Sequence, residues 1–172
     1  MVLSGRPQDE LACGQKTTEF QIPTGKTRLS PIIDCFDGMV VSWTIGTSPD
    51  AELVNAMIDD AFGGLAKRQK PIVHSDRGAH YLWPGWILRM KNANLTRTRP
   101  RKGCTPDNAA CEGFVGRLNN EMYYKRNCSS ASTVEFMKQI DEYIRSYIQE
   151  CIKMSLGAMS PVEYRVRLGL AA

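Results

Sequence analysis

The chain has 172 residues, 42% hydrophobic and 23% charged, enough for one domain with its own core and ordinary for a soluble globular protein. No run approaches the roughly 18 apolar residues of a membrane span. The opening stretch MVLSGRPQDELACGQ has no apolar signal core, so a cytoplasmic location is expected. The net charge of +4 admits a nucleic-acid partner without demanding one, and none of the six cysteines forms a CxxC pair or a zinc spacing with His74 and His80.

Residues 1–15 read as an irregular lead-in to a core spanning 16–172. A short strand is expected over Lys16–Ile22, followed by the turn signal Pro23-Thr24-Gly25. Arg28–Phe36 reads as a second strand and Met39–Ile45 as a third, with Asp37-Gly38 predicting a tight primed turn between them. Ser48 and Pro49 fit the N-cap and first position of a helix whose stripe is Leu53, Met57, Ile58 and Phe62. Gly63-Gly64 ends it. Pro71–His74 reads as a short buried central strand.

A helix is expected over residues 81–92, with Pro84 and Gly85 disturbing its start, and a last strand over Asn94–Arg99. Thr105-Pro106-Asp107 then opens a strong helix running to about Tyr124. Another long helix spans about Thr133–Met154, is terminated by Gly157 and is followed by Pro161. This order predicts an α/β domain with a mixed five-stranded sheet flanked by helices, compatible with a ribonuclease-H-like fold.

Two acids stand out. Asp76 directly follows the buried strand, where open α/β sheets place ligands, although an ordinary turn aspartate would look the same. Glu112 lies among small residues, Ala109, Ala110, Cys111 and Gly113. That setting suits a helix packed close to a sheet while it presents a carboxylate; the alternative is a solvated surface glutamate. Asn108, Glu112 and Asn119 share one helix face. Basic residues concentrate at Lys67, Arg68 and Lys70, and more densely at Arg89, Lys91, Arg97, Arg99, Arg101 and Lys102. They form either a solvated face or a phosphate-contacting surface.

Thirty-five residues separate Asp76 from Glu112. With LSPIIDCFDGMVVSW (29–43), HSDRGAHY (74–81), PRKG (100–103), TPDNAACEGF (105–114) and SLGAMSPVEYR (155–165), this spacing resembles the DDE transposases and retroviral integrases. The likeness is to the insertion-sequence branch, of OrfB type, over about Thr17–Leu168. It implies a ribonuclease-H-like fold and metal-dependent phosphoryl transfer on DNA, in integration and transposition. Three carboxylates would hold two Mg²⁺ (or Mn²⁺) ions on either side of the scissile phosphate. Asp76 matches the second carboxylate and Glu112 the third. The resemblance also implies a homo-oligomer on paired DNA ends in a bacterial, nucleoid-associated setting, with no membrane partner. DNA contacts would fall to Arg97, Arg99, Arg101, Lys102, Asn108 and Asn119.

The sequence also departs from the pattern. The family's first carboxylate lies in a word like TDITEF; here the stretch is Lys16-Thr17-Thr18-Glu19-Phe20, so Lys16 takes the aspartate's place. Glu19, three residues away, would face the other side of a strand, which leaves Asp34 as the stand-in. Asn119 occupies the position of a family lysine and Val115 that of an aromatic. The family's preceding helix-turn-helix is not in this sequence, as in a fragment or truncated frame. The expectation is a transposase catalytic domain impaired by Lys16. The alternative is a catalytically dead DNA-binding or interaction module; a nonspecific nuclease is a third reading that Lys16 also disfavours.

Overall fold

The computed structural model describes residues 13–15, 17–48, 51–63, 72–75, 83–93, 95–98, 109–124 and 131–170. The chain opens with β1 (Cys13–Gln15), β2 (Thr18–Ile22), β3 (Gly25–Asp34) and β4 (Val40–Gly46). β1 and β2 pair antiparallel with β3 in one continuous register, Cys13 opposite Asp34 and Thr18 opposite Leu29. They are therefore two halves of one strand line. On the other edge of β3, Pro31 stands opposite Trp43.

On its other edge β3 pairs with β4, with a register shift between Ile32 and Ile33. The remaining strands, β5 (Ile72–Ser75) and β6 (Thr96–Thr98), add in parallel, β5 beside β1 and β6 beside β5. The six segments thus form five ranks, in the order β4, β3, β1/β2, β5, β6. This is the mixed five-rank sheet expected from the strand count.

Five helices cover the sheet: α1 (Ala51–Phe62), α2 (Pro84–Asn92), α3 (Ala109–Leu118), α4 (Thr133–Glu150) and α5 (Pro161–Leu168). One face carries Phe20, Ile22, Leu29 and Ile33 against Phe114, Leu118, Phe136, Ile140 and Ile144 of α3 and α4. On the other face, Ile32 and Val73 pack on Met57, Ile58 and Phe62 of α1 and on Trp86 and Met90 of α2. β3 is buried continuously from Leu29 to Asp34, where the apolar Leu29, Pro31, Ile32 and Ile33 are accompanied by the polar Ser30 and Asp34. In α4, Phe136, Ile140, Ile144 and Tyr147 make one buried stripe, and Ser132 caps the helix by accepting from Glu135 N at 3.2 Å. Among the described residues no helix is long and apolar enough to cross a membrane.

Several boundaries differ from the sequence reading. β1 begins at Cys13, inside the stretch expected to be irregular, because the parallel edge of β5 is there to pair with it. The β3–β4 connection is longer than a two-residue turn. Asp34 N donates to Met39 O at 2.9 Å, Gly38 N donates to Asp34 O at 2.8 Å, and Gly38 takes the left-handed φ of +70°. Asp37 turns inward there and accepts from Met39 N at 2.9 Å, so the Asp-Gly pair serves a wider loop.

Pro84 starts α2 rather than disturbing it, since its missing N–H would be unsatisfied in a first turn anyway. α4 stops at Glu150. Cys151 is extended, Lys153 bridges to Met159, and Gly157 closes a 3-10 turn (Met154–Leu156) instead of the helix. α5 is held by a capping box between Ser160 and Glu163. The S-x-x-E spacing signals that box, but the sequence reading assigned no helix there. Pro49, the predicted first residue of α1, and Thr105-Pro106, the predicted start of α3, lie outside the described residues.

Candidate active site

β1 and β5 bring two stretches of sequence together. Their parallel register pairs Cys13 with Val73, Gly14 with His74 and Gln15 with Ser75. In the sequence, Lys16 comes directly after Gln15 and Asp76 directly after Ser75; both lie outside the described residues. The third predicted site residue, Glu112, sits on α3, which packs across β1 and β3. Its side chain is exposed.

The sheet side of α3 is Cys111, Phe114, Val115 and Leu118, all buried. Its outward strip is Glu112, Gly113, Gly116, Arg117 and Asn120. A Cβ added at Gly113 or Gly116 would meet nothing within 4 Å. The small residues around Glu112 were expected to let the helix approach the sheet. Among them Cys111 and Ala110 pack toward the sheet, while Gly113 lies on the outer side of the helix, as does Gly116. Asn119, half-buried, opens a π-helical turn (Asn119–Tyr123) in which Tyr124 N donates to Asn119 O at 2.8 Å. The face shared by Glu112 and Asn119 therefore ends there, because the following residues change register.

Of the predicted DNA-contacting residues, Arg97 belongs to β6, where its backbone pairs with Val73. Arg99, Arg101, Lys102 and Asn108 lie outside the described residues. Among the described residues no cluster of three His, Cys, Asp or Glu side chains is arranged to hold a metal.

Two carboxylates weighed against the first-ligand position have other partners. Glu19 is exposed and pairs across the strand with Lys26 and Arg28, each at 2.7 Å. Hydrogen bonds from Lys26 and then Arg28 hold its carboxyl below the usual range. Asp34 is fully buried. It accepts from Arg165 Nη2 at 2.8 Å and from Phe36 N at 2.9 Å. Asp37, also buried, accepts from Arg165 Nε at 2.6 Å. The Arg165 guanidinium thus bridges both acids. This corrects the reading of Asp34 as a substitute ligand: its carboxylate is engaged in the interior.

Arg165 itself was not singled out in the sequence. The available signal was the SLGAMSPVEYR word, whose last residue it is. Nearby, Lys153 Nζ donates to the carbonyls of Asp37 and Gly38 at 3.0 and 3.2 Å. Burial pushes this ammonium's pKa below its ordinary value.

Comparison with known proteins gives the lineage of this arrangement. Residues 9–103 match the family described as Integrase core domain, and residues 112–167 match a second family of the same description. The chain is 56% identical, over 153 residues, to the "Probable transposase for insertion sequence element IS1353" of Shigella flexneri, covering 89% of this chain and 30% of that protein. It is 34% identical over 148 residues to the "Putative transposase InsK for insertion sequence element IS150" of Escherichia coli K12, covering 86% and 52%. The chain therefore spans about a third to a half of these relatives. Among solved structures, the HTLV-2 integrase catalytic core domain in complex with magnesium superposes with a TM-score of 0.65 at 14% identity. The match covers 92% of this chain and 96% of that one. At that identity the likeness establishes the fold, the ribonuclease-H-like one.

Proposed function

The chain belongs to the integrase-core family of insertion-sequence transposases, and on that premise we propose that it is a catalytic domain for DNA integration and transposition whose chemistry is impaired at Lys16. The observation that carries this reading is the pairing of Gln15 with Ser75 in the parallel ladder, with α3 laid across β1. Lys16 and Asp76 each follow one member of that pair. Phe20 and Ile22 point to the α3 side of the sheet. On this reading Lys16, Asp76 and Glu112 converge.

That donor set does not fit a two-metal centre. Carboxylate oxygens suit Mg²⁺ or Mn²⁺, and two are supplied; an ammonium at the third position is not a ligand. Two unit charges at ~4 Å interact by about 4 kcal/mol at an effective dielectric of 20. Lys16 would attract Asp76 and Glu112 and repel a divalent ion by amounts of that order. We assign Lys16 the role of countercharge to the two acids. DNA remains the proposed partner, contacted by Arg97, Arg99, Arg101 and Lys102, with Asn108 and Asn119 beside the Glu112 helix. Assembly as a homo-oligomer on paired DNA ends, in a bacterial cytoplasm, follows from the same reading.

The charge at Lys16 also supports a second reading, a DNA-binding module without catalysis. A strand-transfer assay on element ends separates the two. No turnover is expected from the chain as it stands, and partial Mg²⁺-dependent joining is expected from Lys16→Asp. Vigorous joining by the unaltered chain would overturn the assignment of Lys16. No rescue by Lys16→Asp, with DNA binding retained, would favour the module.

A further inference from the structure

α2 is apolar on two sides. Trp86 and Met90 are buried in the core against α1. The outward side carries Pro84, Ile87, Leu88 and Lys91 at the spacing of one helical stripe, and all four are exposed. Ile87 is 47% and Leu88 56% exposed, where the outer face of a surface helix ordinarily carries polar side chains.

α1 lies beside this helix and runs in the same direction. A Cβ added at Gly85 would stand 3.0 Å from Asn55 Nδ2, and one turn on Arg89 pairs with Asp59 at 2.8 Å. Glu52 precedes Asn55 by one turn on that same side of α1, so it stands near the start of α2. Asp59 matches the charge of Arg89, which leaves Lys91 as the cation at the far end of the stripe. The surface is thus acidic at one end, apolar in the middle and basic at the other end.

That order of charges selects the occupant. A two-fold axis through Ile87 and Leu88 would lay two copies of α2 antiparallel. The apolar centre then meets its own copy, and Lys91 of each chain comes to the Glu52 end of the other. A patch that is complementary to itself fits a second copy of the chain. A phosphate backbone would gain nothing from the apolar centre and would be repelled at Glu52.

We propose that α2 pairs antiparallel with α2 of a second copy, with Ile87 and Leu88 at the centre and Lys91 of each chain against Glu52 of the other. The inference goes beyond the catalytic reading and does not depend on Lys16 or on DNA. Two helices of three turns bury less than the roughly 1,200 Å² of a stable interface, so the pairing is weak and depends on concentration.

Sedimentation velocity of the full chain without DNA tests it, from about 1 µM to about 300 µM, a span that brackets weak association. The unaltered chain is expected to pass from monomer to dimer with a midpoint on the order of 10–100 µM. Leu88→Glu puts a charge at the centre and should leave a monomer throughout, with its urea midpoint in place because the position is exposed. Lys91→Glu sets acid against acid at both ends and should weaken association on the order of 10-fold. Adding Glu52→Lys to Lys91→Glu exchanges the two charges and should restore it. A monomer at every concentration overturns the pairing and leaves the stripe to a different partner. A dimer that persists in Leu88→Glu overturns it by placing the interface elsewhere. Association that the charge exchange fails to restore, in a double variant whose urea midpoint shows it folded, overturns the antiparallel register.

Discussion

The domain treats its acidic side chains in two opposite ways. At the β3–β4 loop, Asp34 and Asp37 are buried and bridged by one guanidinium. On α3, Glu112 is exposed, next to Gly113 and one turn before Gly116, where an added Cβ would meet nothing within 4 Å. The first pair resists substitution because each carboxylate, once taken from water, has fixed partners. The second is the arrangement the proposed function requires, a carboxylate at the surface of its helix. Acidic residues in a family word are therefore of two kinds, those that assemble the scaffold and those the scaffold presents. Burial and partner identity separate them where sequence position does not.

The largest expected effect tests the scaffold side. Removing one partner of a buried ion group leaves the remaining charges uncompensated, at a cost of about 3–5 kcal/mol. Arg165→Ala should lower stability by that amount, read as a fall in the urea midpoint at unchanged slope. Arg165→Lys should recover only part of it, because an ammonium lacks the planar fork that reaches Asp34 and Asp37 from separate nitrogens. A loss below about 1 kcal/mol for Arg165→Ala, the range of exposed pairs, would erase the contrast between the two acidic sets.

A smaller effect concerns the same helix. Ser160 Oγ accepts from Glu163 N at 3.2 Å while the Glu163 carboxylate accepts from Ser160 N at 2.8 Å. Ser160→Ala should cost about 1 kcal/mol, as loss of an N-cap does. Thermal melts of Ser160→Ala and Arg165→Ala side by side sharpen the comparison. If the cap variant melts as low as the arginine variant, α5 is held by its own start rather than by the buried acids.

How far these roles were legible in the sequence follows from their range. The strands and helices came from short-range patterns such as the Leu53, Met57, Ile58 and Phe62 stripe, which needs only helical period. The Asp76–Glu112 spacing marked the candidate site because both residues sit in local words. The partnership of Arg165 with Asp34 and Asp37 was not legible. It joins positions 131 and 128 residues apart, and no local pattern encodes a contact that packing alone creates. The continuation of pairing back to Cys13 was missed for the same reason. A three-residue strand is defined by its neighbour β5, not by its own composition. Gly113 beside Glu112 was read as letting the helix approach the sheet but lies on its outer side, because sequence shows that a position is small but not which way it faces.

The smallest expected effect bears on the exposed side and decides the comparison most directly. Glu112→Gln keeps the side chain's shape and removes its charge. Glu112 is exposed on α3, and substitutions at exposed positions usually change stability by about 0.5 kcal/mol or less. The substitution should therefore cost about 0.5 kcal/mol or less in urea unfolding, several-fold below Arg165→Ala. In the Lys16→Asp background the same substitution should abolish whatever joining that variant regains. A presented carboxylate predicts that pairing of outcomes, near-silent for the fold and severe for the chemistry. A stability loss of 2 kcal/mol or more, roughly what a buried or network position loses on substitution, would place Glu112 with Asp34 and Asp37 as part of the scaffold. The site would then have to be built from Asp76 without it.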